Sequence, residues 1–357
     1  VVGAPATPSR SQHSHRGEKH DAARHARRAD KTSWFLGGRD YGRTSVPARY
    51  ANPLMLERGR IIAQPGFNRW LVPPAALAIH LCIGMAYGFS VFWLPLAHAL
   101  GGTQPLACQD LTLKDALFTV DCDWRVSDLG WIYTLFFVVL GSAAALWGGW
   151  VERAGPRKAG VVSAVCWSGG IAIAAIGVFV HQLWIMWLGA GVIGGIGLGL
   201  GYISPVSTLI KWFPDRRGMA TGSAIMGFGG GAMIGAPLAN LLKTHFRTPS
   251  SAGVWQTFLV LAAIYFVFMI AGALGYRVPP PGWQPGESRP STRAALVPRR
   301  HVHVRNAHKT PQFWLIWAVL CLNVSAGIGV IGMASPMLQD IFGASPAVAA
   351  GFTGLIS

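Results

Sequence analysis

From Trp70 onward, long apolar runs alternate along the chain with short polar breaks. A hydrocarbon core about 30 Å thick takes about 20 helical residues to cross, and that length is the yardstick. Trp70–Leu96 and Leu129–Trp150 each meet it. Ala159–Ile210 is an uncharged stretch of 52 residues, too long for one crossing, and His181-Gln182 is its strongest polar break. The chain is therefore expected to reverse there, giving two helices. Gly218–Leu242, Val254–Tyr276 and Phe313–Leu338 complete seven spans, and an eighth starts near Pro346. The predicted fold class is an all-α integral membrane protein.

Residues 1–66 contain no such run. They hold twelve Lys/Arg against five Asp/Glu, with four histidines between His13 and His25, and read as a disordered basic cytoplasmic tail. No apolar core with a small-residue cleavage site follows the basic stretch, so it is not a signal peptide. The first methionine is Met55, which leads directly into the first span. The expectation is a natural start near Met55, the earlier residues being an over-extended reading frame. The alternative is a basic arm that touches anionic lipid. Three further divisions follow: a six-helix transmembrane bundle over 67–276, a basic inter-bundle loop over 277–311, and the truncated start of a second bundle over 312–357.

Composition supports a bilayer as the solvent. Charged residues make up 12% of the chain and apolar residues 52%, and that charged share is about half of what a soluble domain carries. The formal charge is +16, which in another setting would suggest nucleic acid. Here Lys and Arg collect beside the apolar runs rather than along one face, so no nucleic-acid partner is expected. Arg153, Arg157, Lys158, Lys211, Arg216, Arg217 and seven basic residues of the 277–311 loop all fall on one side of the predicted bundle. The opposite loops hold only Lys114, Arg125, Lys243 and Arg247, and the first of them has five Asp. The positive-inside rule puts the N-terminus in the cytoplasm.

Candidate chemistry is sparse. Cys108 and Cys122 share the first external loop and are expected to pair in an oxidising compartment. Cys82, Cys166 and Cys321 lie in apolar runs. No Cys/His metal spacing, catalytic motif or phosphate loop occurs, so neither a metal, a cofactor nor an enzyme activity is expected. Within the spans as bounded above there is no Lys, Arg, Asp or Glu, and His80 is the one ionisable group at depth apart from Tyr and Cys. Tyr87, seven residues on, shares its helical face.

Six helices followed by a basic loop suggest a carrier with two repeated halves. The turn Gly149-Trp-Val-Glu152-Arg153-Ala-Gly155-Pro156-Arg157-Lys158 resembles the signature between helices two and three of the major facilitator superfamily. Glu152 stands where that family usually has Asp. The segment Lys211-Trp212-Phe213-Pro214-Asp215-Arg216-Arg217-Gly218, with Asn68-Arg69-Trp70 before helix one and Gly227 to Pro237 in helix five, resembles the oxalate:formate antiporter branch. The resemblance covers roughly residues 67–357 and implies a bundle of six helices, a seventh and the start of an eighth. It implies a monomeric inner-membrane carrier that exchanges small carboxylates by alternating access. Alternatives are a proton-coupled monocarboxylate carrier of the same superfamily and a non-transporting sensor or scaffold on the same fold.

Site residues follow from the same resemblance. Trp131 and Tyr202 match positions of the family's aromatic cage, and with Tyr87 and His80 they are the candidate substrate wall. The bland alternatives are an interfacial-belt role for Trp131 and ordinary packing for Tyr202. Glu152, Arg153, Arg157, Lys158, Asp215, Arg216 and Arg217 are the candidate cytoplasmic gate, or else mere topology anchors. Asp215 is also the expected N-cap of helix five. Cationic partners for a carboxylate are expected in the family's helices eight and eleven, beyond this chain's complete spans.

Overall fold

The computed structural model describes residues 56–100, 112–249, 251–285 and 302–357. All lie within one compact unit that begins at Pro53. Among the described residues seven helices are long and apolar enough to cross a membrane: α1 (Arg69–Leu96), α2 (Val126–Ala154), α3 (Pro156–Phe179), α4 (Leu183–Trp212), α5 (Arg217–Phe246), α6 (Val254–Gly275) and α7 (Pro311–Asp340). A shorter apolar helix, α8 (Pro346–Ile356), follows. Each starts and stops within a few residues of the expected bounds.

The reversals have local causes. Between α2 and α3 the chain turns at Gly155, whose φ of +91° suits a residue without Cβ, and Pro156 opens α3. Between α3 and α4 the turn falls at His181, which adopts a left-handed φ of 51°. Pro214 lies in the break between α4 and α5. Arg216, not Asp215, occupies the N-cap of α5, and no side chain caps it. The Asp215 carboxylate is engaged elsewhere, as described below.

α1 sits between α5 and α6, α3 packs along α4 and α6, and α2 lies against α4. Close crossings need glycine. A Cβ on Gly84 of α1 would overlap the Phe228 carbonyl of α5, and one on Gly231 of α5 would overlap the Leu81 carbonyl. Of the apolar window of α1, 72% is buried, against 6% for α7, which touches mainly α1 and α8. The exposed Leu315, Ile316, Val319, Leu320 and Leu322 of α7 suit a lipid or protein neighbour rather than water.

Two interior prolines tie helices together. Pro95 has no N–H to give the Val91 carbonyl one turn earlier, and the Lys243 ammonium of α5 donates to that oxygen at 2.6 Å. Pro336 likewise frees the Gly332 carbonyl of α7, and the Trp93 indole of α1 donates to it at 2.8 Å. Freed carbonyls inside a membrane bundle need such partners, because lipid supplies none.

The boundary expected at residue 66 shifts toward the N-terminus. Arg58–Ile61 forms a helical turn with Ile61 fully buried. Val278 N–H donates to the Ile61 carbonyl and Ala63 N–H to the Val278 carbonyl, each at 2.9 Å. An apolar side chain and two backbone bonds fasten this segment to the strand of chain after α6. Residues 1–55, Met55 included, lie outside the described residues.

Candidate functional site

An aromatic cluster occupies the crossing of α1, α2, α4 and α5. His80 of α1 is fully buried. Its Nδ1 lies 2.6 Å from the Ala224 carbonyl of α5 and its Nε2 3.2 Å from the Tyr202 carbonyl of α4. Both partners are acceptors, so a neutral ring donates from one nitrogen, and the shorter contact assigns that proton to Nδ1. The His80 and Tyr202 rings stack at 5.7 Å. Phe228 meets Tyr87 edge-on at 4.7 Å and Tyr202 at 5.5 Å. Tyr87 reaches Phe137 at 6.2 Å, and Phe137 reaches Tyr133 at 4.9 Å.

Three phenol rings share this cluster: Tyr87 and Tyr202 both meet Phe228, and Tyr87 and Tyr133 both meet Phe137. The Tyr133 hydroxyl is buried with no hydrogen-bond partner. Tyr133 joins this cluster although the sequence did not single it out. Trp131, which it favoured, is not brought to the cluster: it is 48% exposed, and its ring lies 6.4 Å from that of Trp187. Two residues along a helix is a rotation of about 200°, so Trp131 and Tyr133 face opposite ways. His80, Tyr87 and Tyr202 are brought together.

The predicted gate residues separate into partners and bystanders. Lys211 pairs with Glu152 at 2.5 Å, joining the ends of α4 and α2, and Arg58 donates to the Glu152 carbonyl at 3.0 Å. Arg69 grips both oxygens of Asp215 at 2.8 and 3.1 Å and lies 4.8 Å over the Phe213 ring. The Arg69 guanidinium holds the Asp215 carboxyl below its ordinary range. Arg216 approaches the same carboxylate at 3.7 Å. Arg157 is buried and donates to the Tyr276 carbonyl at 3.1 Å. Arg153 and Arg217 are exposed and Lys158 is half-buried.

At the opposite end, His181 stacks on Trp124 at 4.0 Å with rings 2° from parallel, and its Nε2 lies 2.8 Å from the Cys122 carbonyl. Burial pushes the His181 imidazole down. Cys122 is disulfide-bonded, whereas Cys82, Cys166 and Cys321 are free. Cys108 lies outside the described residues.

The absence of charge from the spans needs a correction. α5 continues one turn past Leu242, so Lys243 falls within it and is only 7% exposed. Its long apolar stem lets it sit near the end of a helix whose other Lys or Arg is Arg217, at the first position. Among the described residues no three His, Cys, Asp or Glu side chains cluster as metal ligands do.

Comparison with known proteins bears on this arrangement. The chain is 31% identical over 228 residues to monocarboxylate transporter 11 of Homo sapiens, covering 64% of this chain and 42% of that one. It is 28% identical over 160 residues to the oxalate:formate antiporter of Oxalobacter formigenes, covering 44% and 34%. The crystal structure of a D-xylose-proton symporter superposes with a TM-score of 0.52 over 80% of this chain and 65% of that one, at 15% identity, a likeness of fold alone. The chain spans 34% to 59% of the length of the curated relatives it matches. With the family profile matching residues 75–357, on a helical bundle of this design, the chain belongs to the Major Facilitator Superfamily.

Proposed function

We propose that this chain forms part of a carrier that moves small carboxylates, of the oxalate and formate type, across the inner membrane by alternating access. The observation that carries the reading is the trio Tyr87, Tyr133 and Tyr202, three phenol donors that bond to no described residue. Set among Phe137, Phe228 and His80, they offer O–H groups to an anion whose flat faces contact aromatic rings. Two relatives whose names specify carboxylates support the substrate class. Glu152–Lys211 and Arg69–Asp215 are read as the cytoplasmic latch, with the N-terminus on the same side.

The test is counterflow of labelled oxalate into proteoliposomes loaded with oxalate or formate. Tyr202→Phe removes one hydroxyl and keeps the ring. Losing a hydrogen bond to a charged group weakens binding about tenfold or more, so the half-saturating concentration is expected to rise by that factor in each Tyr→Phe variant. Unchanged transport in all three, at equal protein levels, would remove the site. Uptake that instead requires an inward proton gradient favours the monocarboxylate-type reading, with His80 as the titrating group in the cluster.

A further inference from the structure

A cavity of about 840 Å³ opens at the end of the bundle opposite the Gly155 and Asp215 turns. The ends of α1, α5 and α7 and the starts of α6 and α8 surround it. Its charged and titratable lining consists of Lys243, Arg247 and His98, and the described residues that line it include no Asp or Glu. Three helix C-termini and two N-termini converge there, so their dipoles oppose one another. The side chains therefore set its sign, which is positive.

The cations are not consumed by the protein. Lys243 is buried, and its ammonium meets the Val91 carbonyl at 2.6 Å and the Phe92 ring at 5.5 Å, with no carboxylate partner. An ammonium has three donors, and two remain after Val91. Arg247, four residues on, makes no hydrogen bond or ion pair to any described residue. His98 Nδ1 is buried without a partner, and Asn240 and Gln339 add amide groups to the wall. Asp123, whose carboxylate accepts from the backbone N–H of the lining residue Leu100 at 2.7 Å, is not itself part of the described wall. A buried ammonium without a counter-ion is costly, and a diffusible anion relieves that cost.

We infer that this cavity is a binding site for a small carboxylate anion, held by Lys243 and Arg247 and separate from the aromatic cluster. The inference rests on the proposed function only for the choice of anion. It assigns to α5 the cationic role that the sequence placed beyond the chain's complete spans.

The experiment titrates sodium oxalate into the purified chain in lipid nanodiscs at low ionic strength, without a gradient, and repeats the titration with sodium sulfate. Saturable oxalate binding is expected, weakened about tenfold in Lys243→Gln and severalfold in Arg247→Gln. Oxalate held by the aromatic cluster is a separate component of the isotherm, weakened by Tyr202→Phe and untouched by Arg247→Gln, so failure of the transport site and failure of this site register separately. Arg247 is exposed and supports no neighbour, so its variant reports on binding even if Lys243→Gln fails to fold. No saturable binding, binding of sulfate without oxalate, or wild-type affinity in Arg247→Gln would overturn the assignment.

Discussion

The two ends of the bundle treat their charges in opposite ways. At the end with the Gly155 and Asp215 turns, basic residues meet acids: Lys211 meets Glu152, and Arg69 meets Asp215 under a lid of aromatic rings. At the other end, Lys243 and Arg247 face a cavity with no acid in its described wall. Counting Lys and Arg by loop gives the first end the larger positive total, yet at the second end a buried ammonium, that of Lys243, lacks a carboxylate partner among the described residues. A tally of charges predicts orientation; the pairing is what points to the inferred anion site.

The largest effect is expected where both ends depend on one crossing. Gly84→Val puts a branched side chain against the Phe228 carbonyl of α5. Overpacking usually costs about 1–3 kcal/mol, and backbone cannot move aside as a side chain can, so the upper end of that range or failure to accumulate is expected. Thermal unfolding in detergent measures it. A variant as stable as wild type would show that α1 and α5 are not in contact there.

A smaller loss is expected at the paired end. Arg69→Gln removes a bidentate pair whose side chains are 20% and 22% exposed, and is expected to cost about 1 kcal/mol in denaturant unfolding. The pH dependence has a definite sign. Asp215 titrates lower in the folded state than unfolded, so its contribution is complete above the ordinary carboxylate pKa of about 3.9. It fades as pH falls through the depressed folded value. Arg69→Gln is expected to shrink that acid-side decline, with Arg216 at 3.7 Å leaving a remnant. The smallest effect belongs to Glu152→Gln, whose pair is 50% and 38% exposed and is expected to be worth under about 1 kcal/mol, less at high salt. Were this pair to outweigh Arg69–Asp215, the ordering by burial would fail.

Spans and reversals were legible because hydropathy and turn chemistry are local. His181-Gln182 broke the long uncharged stretch where the turn falls, and Gly155-Pro156 announced a positive φ. His80, Tyr87 and Tyr202 could be selected as polar or aromatic groups in apolar helices, and they do meet. Trp131 and Tyr133 could not be separated, because nothing local says which side of α2 faces inward. Asp215 has the chemistry of a cap, but its partner Arg69 lies 146 residues away. Lys243 read as the end of a span because its reason for being buried is Val91, a carbonyl freed by Pro95 on another helix.

The bond from the Trp93 indole to the Gly332 carbonyl has a mechanical consequence. α7 is thinly held, with little of its surface buried, and this is a discrete polar tether from α1 to its last third. An oxygen freed by Pro336 cannot fall back on its own helix when the indole departs. Any sliding of α7 away from α1 therefore exposes a lone pair that only water can satisfy, so displacement and wetting of that crevice occur as one event.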